Sequence, residues 1–313
     1  MQEFIEQIEF PFLLIISGII LFSSNLIVFL IFLKNKELRS GIYGTILATI
    51  FAELYVAFHS ITYSILAFSR VKIGYSWFCI FESFISIFFS LFWVCENTSI
   101  MLLYLTRNIV KSKLCRNLHL TSFLFSLIIS LILLLNESLG LSSINTCYIK
   151  KESNHSLFFI AGCFYFLFIL SIMFNVWFFK FRDTNKDRSF INGYNYFILI
   201  SSFLNAAYFF NLMIDYFVEA DVSFLNFFSI IFLFFASLYT AIFRIKIEHI
   251  TLFFSDEEGK NKYKNILKFI FCKYTLPKFK EIKKRLNVKF IDTTDNEKDK
   301  MIYNHIFNNK DFT

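Results

Sequence analysis

The stretch WFCIFESFISIFFSLFWVCENTSIMLLYL, Trp77–Leu105, decides how the rest of the chain is read. It is an apolar run interrupted by few charges, and its apolar residues do not alternate with polar ones at period two. A bilayer core about 30 Å thick is crossed by about 20 apolar residues of helix, so the run is long enough to span a membrane. Six similar runs flank it: Phe10–Phe32, Ile42–Phe68, Leu118–Leu135, Ser156–Phe179, Tyr194–Phe217 and Ser223–Phe243. They lack the period-two alternation of barrel strands and are too long for them. The expectation is an all-α fold, a seven-transmembrane helix bundle over residues 10–243. A short extracellular segment, residues 1–9, precedes it. A juxtamembrane amphipathic helix, residues 244–254, and a basic, partly disordered cytoplasmic tail, residues 255–313, follow.

Composition supports that class. The 313 residues are 56% hydrophobic and 18% charged, with mean hydropathy +0.57. A soluble domain does not place its apolar residues in long unbroken runs. The 47 phenylalanines accompany abundant Ile, Asn and Lys, which points to an AT-rich genome rather than to aromatic recognition. Only Pro11 and Pro277 occur, so no interior proline kink is expected in a span. The net charge of +7 sits in loops and tail beside the membrane, where anionic lipid headgroups, not nucleic acid, are the fitting partner.

Loop charge gives the spans a direction. Met1–Glu9 carries Glu3, Glu6 and Glu9 and no basic residue, unlike a cleavable signal peptide, so Phe10–Phe32 reads as a retained helix. The first, third and fifth loops hold Lys34, Lys36 and Arg39; Arg107, Lys111, Lys113 and Arg116; and Lys180, Arg182, Lys186 and Arg188. The opposite side holds only Arg70, Lys72, Lys150 and Lys151. The positive-inside rule therefore places the N-terminus outside and the C-terminus in the cytoplasm of a multi-pass plasma-membrane protein.

Of six cysteines, only Cys79 and Cys147 fall at the outer face, where oxidation is possible. A bridge between them would pin the loop between helices four and five across the mouth of the bundle; the alternative is two free thiols. Asn136-Glu-Ser and Asn154-His-Ser in that loop are glycosylation candidates, whereas Asn97-Thr-Ser lies inside a span and is not.

Seven spans, an outer N-terminus and a cysteine at the top of helix three facing one in the next outer loop together resemble a G-protein-coupled receptor. The segment from Cys79-Ile-Phe-Glu through Phe89-Ser-Leu-Phe-Trp93-Val-Cys-Glu-Asn, with Thr146-Cys147-Tyr-Ile-Lys, is similar to the slime-mould cyclic-AMP-receptor-like branch. The chain departs from the rhodopsin-like branch. Helix three ends in Tyr104-Leu-Thr-Arg107-Asn without Asp-Arg-Tyr, and helix seven reads Ala236-Ser-Leu-Tyr239-Thr-Ala without Asn-Pro. The resemblance implies an extracellular ligand of unstated class and a cytoplasmic heterotrimeric G protein as partners.

Ionisable residues inside spans are costly, about 2.5–3.5 kcal/mol near the centre on insertion scales, and need internal partners. Glu53 looks like the acidic helix-two position of receptors, with Asn25 of helix one as its natural partner. Glu96 and Asn97 form a second polar pair in helix three. These four read either as an intramembrane switch or as clips that hold helices together. Glu82, His59 and Asp215 form an outer polar set, either lining a ligand pocket or making structural hydrogen bonds. On the inner face, Arg107, Lys111, Lys186 and Arg188 are candidate G-protein contacts, or topology anchors with no partner. Lys260–Arg285 is a basic amphipathic stretch suited to a membrane surface or a calmodulin-like partner, and Cys272 within it is a palmitoylation candidate.

No His/Cys/Asp/Glu group has metal-ligand spacing, no glycine loop cradles a phosphate, and no nucleophile–base set shares a face. Neither cofactor nor enzymatic activity is expected. A small transporter or ligand-gated channel subunit is the alternative, and it would prefer inverted repeats, which the halves do not display. A membrane scaffold with a working basic tail is the third reading.

Overall fold

The computed structural model describes residues 2–34, 42–68, 77–105, 112–141, 147–150, 197–201 and 223–246, and a few isolated positions at 162–163, 170, 203–204, 265 and 268. Five long helices and one small hairpin make up these residues: α1 (Gln2–Lys34), α2 (Ile42–Phe68), α3 (Trp77–Leu105), α4 (Ser112–Leu135), β1 (Leu139–Leu141), β2 (Cys147–Ile149) and α5 (Ser223–Lys246). Four of the helices contain stretches long and apolar enough to cross a membrane: Pro11–Leu33, Gly44–Leu66, Trp77–Leu103 and Lys113–Leu135. The chain is thus mainly helical and has the make-up of a membrane protein. The fifth and sixth apolar runs lie almost wholly outside the described residues, as do residues 247–254 and nearly all of the tail.

Helices α2 and α3 begin and end where the apolar runs do. The others are longer than expected. α1 starts at Gln2, so residues 2–9 continue the first helix and Pro11 lies inside it. Gln and Glu are good helix formers, and their propensity carries the backbone across the donor that Pro11 lacks. α4 starts at Ser112 and takes in Lys113 and Arg116, both assigned to a loop by their charge. α5 runs through Arg244 to Lys246, so the residue expected to open the juxtamembrane helix lies in the last turn of this helix instead.

Most hydroxyls in these helices are satisfied within their own turn, which makes them tolerable in an apolar span. Ser24 donates to the Leu21 carbonyl at 2.9 Å, Ser126 to Ser122 at 2.8 Å and Ser130 to Ser126 at 2.8 Å. Small residues also bring helix backbones close. Gly18 of α1 faces α2 so tightly that a Cβ there would meet Ile61 Cγ1 at 2.8 Å and the Ala57 carbonyl oxygen at 3.0 Å. α1 packs on α2 and α5, α2 on α3, and α3 on α4. Outward faces carry exposed Phe12, Ile19, Phe58, Phe123, Leu124 and Ile128, the surface a lipid chain would cover.

The all-α expectation needs one addition. After α4 the chain turns through Glu137, at φ 53°, into an antiparallel pair with register Leu139↔Ile149, Gly140↔Tyr148 and Leu141↔Cys147. Leu139, Tyr148 and Ile149 bury against Ile87 and Leu91 of α3 and Ile129 and Leu133 of α4. The hairpin is a plug in the end of the α3–α4 pair, not a free loop.

Candidate functional site

Glu53 lies on the face of α2 that also carries Thr49, one turn earlier. Arg244, in the last turn of α5, reaches this face with its side chain fully buried. Its Nε donates to Glu53 Oε2 at 3.0 Å and its Nη2 to Glu53 Oε1 at 2.7 Å, while Nη2 also donates to Thr49 Oγ1 at 2.8 Å. Trp93 of α3 donates from Nε1 to Glu53 Oε1 at 2.8 Å. One carboxylate thus receives three N–H donors from two helices, and the planar guanidinium matches it fork to fork. Behind the arginine, the Phe197 ring centroid lies 5.3 Å from the guanidinium carbon and 4.1 Å from the ring of Phe243 in a parallel stack. The charge is therefore held by an opposite charge on one side and by a π-face on the other.

This geometry corrects the expected partner of Glu53. Asn25 is fully buried, but its amide oxygen and nitrogen make no hydrogen bond among the described residues. The arginine takes the carboxylate because a bidentate charged fork outcompetes a neutral amide. Arg244 was hidden in the sequence because it follows Phe243 directly and opens a basic segment. No local pattern in the sequence could have found it, because the contact joins helices 191 residues apart in the chain.

Glu96 is also fully buried, and His119 of α4 donates to its Oε1 from Nδ1 at 3.0 Å. His119 was not singled out in the sequence, because it sits among residues assigned to a loop and a helix start. Asn97 donates to the Trp93 carbonyl at 2.9 Å, within its own helix. Glu96 clasps α3 to α4, and Asn97 bonds back to the preceding turn of α3.

At the hairpin end of α2 and α3, two members of the expected set of His59, Glu82 and Asp215 meet: His59 Nδ1 and Glu82 Oε1 are 2.5 Å apart. Tyr55 OH lies 3.4 Å from the same oxygen and 3.1 Å from Ser86 Oγ. Cys79 and Cys147 stand at disulfide distance, Sγ–Sγ 2.17 Å with Cα atoms 5.1 Å apart. The bridge fastens β2 to the first turn of α3. Ser83 adds a 3.3 Å bond to the Gly140 carbonyl, and the Cys147 amide donates to Tyr63 OH at 2.6 Å. The hairpin is thereby tied to both α2 and α3 directly above Glu82.

Asn136 is exposed in the turn after α4, as a glycosylation acceptor must be. Asn154, Asp215, Arg107, Lys111, Lys186, Arg188 and Cys272 lie outside the described residues. Among the described residues, no group of three His, Cys, Asp or Glu side chains could hold a metal ion. No protein-family model matches the chain, and comparison with curated proteins finds no significant match.

Proposed function

We propose that the chain is a seven-helix receptor of the G-protein-coupled type, with its N-terminus outside the plasma membrane and its basic tail in the cytoplasm. It binds an extracellular ligand and signals to a heterotrimeric G protein by helix rearrangement. The observation that carries this reading is the Glu53–Arg244 pair. A buried charge pair at the end of α5 is more demanding than an apolar contact, since a partner that parts from the other is left buried and uncompensated unless it reaches water. Such a contact has two stable conditions, closed in the bundle or open to the inner surface, and a ligand that favours one of them shifts the balance. The disulfide-pinned hairpin supports the same reading by giving the opposite end of the bundle a fixed shape.

The test is nucleotide exchange on purified Gα subunits in the presence of nanodiscs containing the chain. Arg244→Met, which opens the pair, is expected to raise exchange above that of empty nanodiscs. If neither this variant nor the wild type changes exchange on any Gα class, the reading fails. A tag at residue 1 that maps to the cytoplasm overturns it independently and favours the channel or transporter alternative.

A further inference from the structure

We propose that the N-terminal end of α4 binds one anionic phospholipid, with a phosphomonoester headgroup of the phosphatidic-acid type held between Lys113 and Arg116. The proposal needs only that α4 crosses a membrane, and it goes beyond the receptor reading. Lys113 and Arg116 are both exposed, and no ion pair among the described residues reaches either of them. They stand three residues apart, about 4.5 Å along the axis and on neighbouring positions of the helix surface, so their charges repel. At this end of a helix the backbone dipole also disfavours a cation, and the first turn of α4 holds no acid to offset either effect. An anion seated between the two side chains reverses both effects at once. Asn117, also exposed and one turn beyond Lys113, adds an amide donor beside them.

The exposed positions that follow on the same side of α4 are apolar. Leu120, Leu124 and Leu131 continue the line of Lys113 and Asn117 at helical spacing and are 55%, 45% and 39% exposed. Leu120 to Leu131 covers about 16 Å of helix. That is about half of a bilayer core about 30 Å thick, the reach of one acyl chain. The stripe thus has the order of a phospholipid, charge at the membrane edge and hydrocarbon beneath it. A phosphomonoester carries more than one negative charge and three strong acceptor oxygens, which two cations rich in N–H donors match better than they match a singly charged diester. The long stems of Lys113 and Arg116 let their charges stay at headgroup level while the helix continues into the apolar layer. An acidic protein segment would match the two cations but not the apolar stripe below them, so the lipid is the better fit.

The experiment is native mass spectrometry of the full-length chain in neutral detergent micelles holding equal amounts of phosphatidic acid and phosphatidylcholine with the same acyl chains. Wild type is expected to retain phosphatidic acid in preference, and Lys113→Ala/Arg116→Ala to lose about tenfold or more of that retention. Lys180→Ala/Arg182→Ala, which removes the same charge from another basic loop, is expected to keep it. Glycerophosphate, the headgroup without its chains, is expected not to displace the lipid. Thermal shift in the same detergent gives a second readout. Without anionic lipid, Lys113→Ala/Arg116→Ala should be at least as stable as wild type, because the repulsion is relieved, and added phosphatidic acid should raise the Tm of wild type but not of this variant. Equal retention of the two lipids, wild-type retention in Lys113→Ala/Arg116→Ala, or an equal loss in Lys180→Ala/Arg182→Ala refutes the site. Displacement by glycerophosphate would show a site for free phosphate and refute the lipid. Unchanged retention with lost nucleotide exchange on Gα would assign the two cations to a protein partner and also refute it.

Discussion

Removing Arg244 and removing Glu53 should not cost the same. Burying either charge alone costs about 2.5–3.5 kcal/mol by insertion scales, so the pair starts with a debt of about 5–7 kcal/mol. Attraction at contact distance, about 4 kcal/mol at an effective dielectric of about 20, already contains most of what the two Arg244 bonds contribute, and the Trp93 bond adds about 1.5–3 kcal/mol, so gain and cost nearly cancel. In Arg244→Leu the carboxylate stays far from either end of α2 with only Trp93 and no counter-charge, so the expected loss is about 3 kcal/mol. In Glu53→Leu the stranded arginine is two residues from the end of α5 and can extend to the surface. That escape lowers the expected loss to about 1–2 kcal/mol. The double variant Glu53→Leu/Arg244→Leu should lie within about 1 kcal/mol of wild type, since apolar replacement of both partners removes the debt as well as the gain. Unfolding by SDS titration in mixed micelles measures all four proteins. An Arg244→Leu loss smaller than that of Glu53→Leu, or a double variant equal to the sum of the singles, would refute the reasoning.

Three further outcomes follow from other contacts. Cys79→Ser should lower stability by about 4 kcal/mol on the loop-closure estimate for a separation of 68 residues, and non-reducing mass spectrometry should then find Cys147 as a free thiol. Gly18→Leu should break the α1–α2 contact at a cost of about 2–3 kcal/mol, seen as a lower midpoint in the same titration, because its Cβ already reaches the Ala57 backbone at 3.0 Å. His119→Phe should cost about 2 kcal/mol or more by leaving Glu96 buried without its partner. Adding Glu96→Gln to it should recover part of that loss; no recovery would mean that His119 acts through packing on Phe92 instead.

What could be read from residues alone follows from how charge behaves at a membrane edge. The bounds of α2 and α3 were legible because turn and charged residues flank apolar sequence abruptly. The start of α4 and the end of α5 were not, because Lys113, Arg116 and Arg244 look like loop residues although long basic side chains can stay on a helix while their heads find water or a carboxylate. The outer cysteine pair was legible by compartment, and His59 with Glu82 by level. Glu53 was legible as a buried acid in need of a partner. Its partner was not, because no local pattern tells that the last turn of α5 abuts the face of α2 carrying Thr49 and Glu53. The β1–β2 hairpin escaped notice because three-residue strands carry too few residues for a period.

The carboxylates of the four spans share a logic that single positions do not reveal. Glu53, Glu82 and Glu96 each pair with a basic side chain on another helix; α3 carries the acid in two of these pairs and reaches the third through Trp93. Glu82, Ser86, Phe89, Trp93 and Glu96 recur at helical spacing along one stripe of α3, which meets α2 at its first four positions and α4 at Glu96. Rotation of α3 about its axis would strain the His59 clasp, the Trp93 bond to Glu53 and the His119 clasp together. Glu82 and Trp93 are about 16 Å apart along that one rigid face. Under the proposed function, a ligand that moves α3 needs no chain of intermediates to reach the Glu53–Arg244 pair, because that helix holds one of the three donors to Glu53. Trp93→Phe removes that donor and leaves the ring, so it should loosen the Glu53–Arg244 pair and raise nucleotide exchange on Gα part of the way toward that of Arg244→Met. Exchange equal to that of wild type would show that α3 does not hold the pair closed.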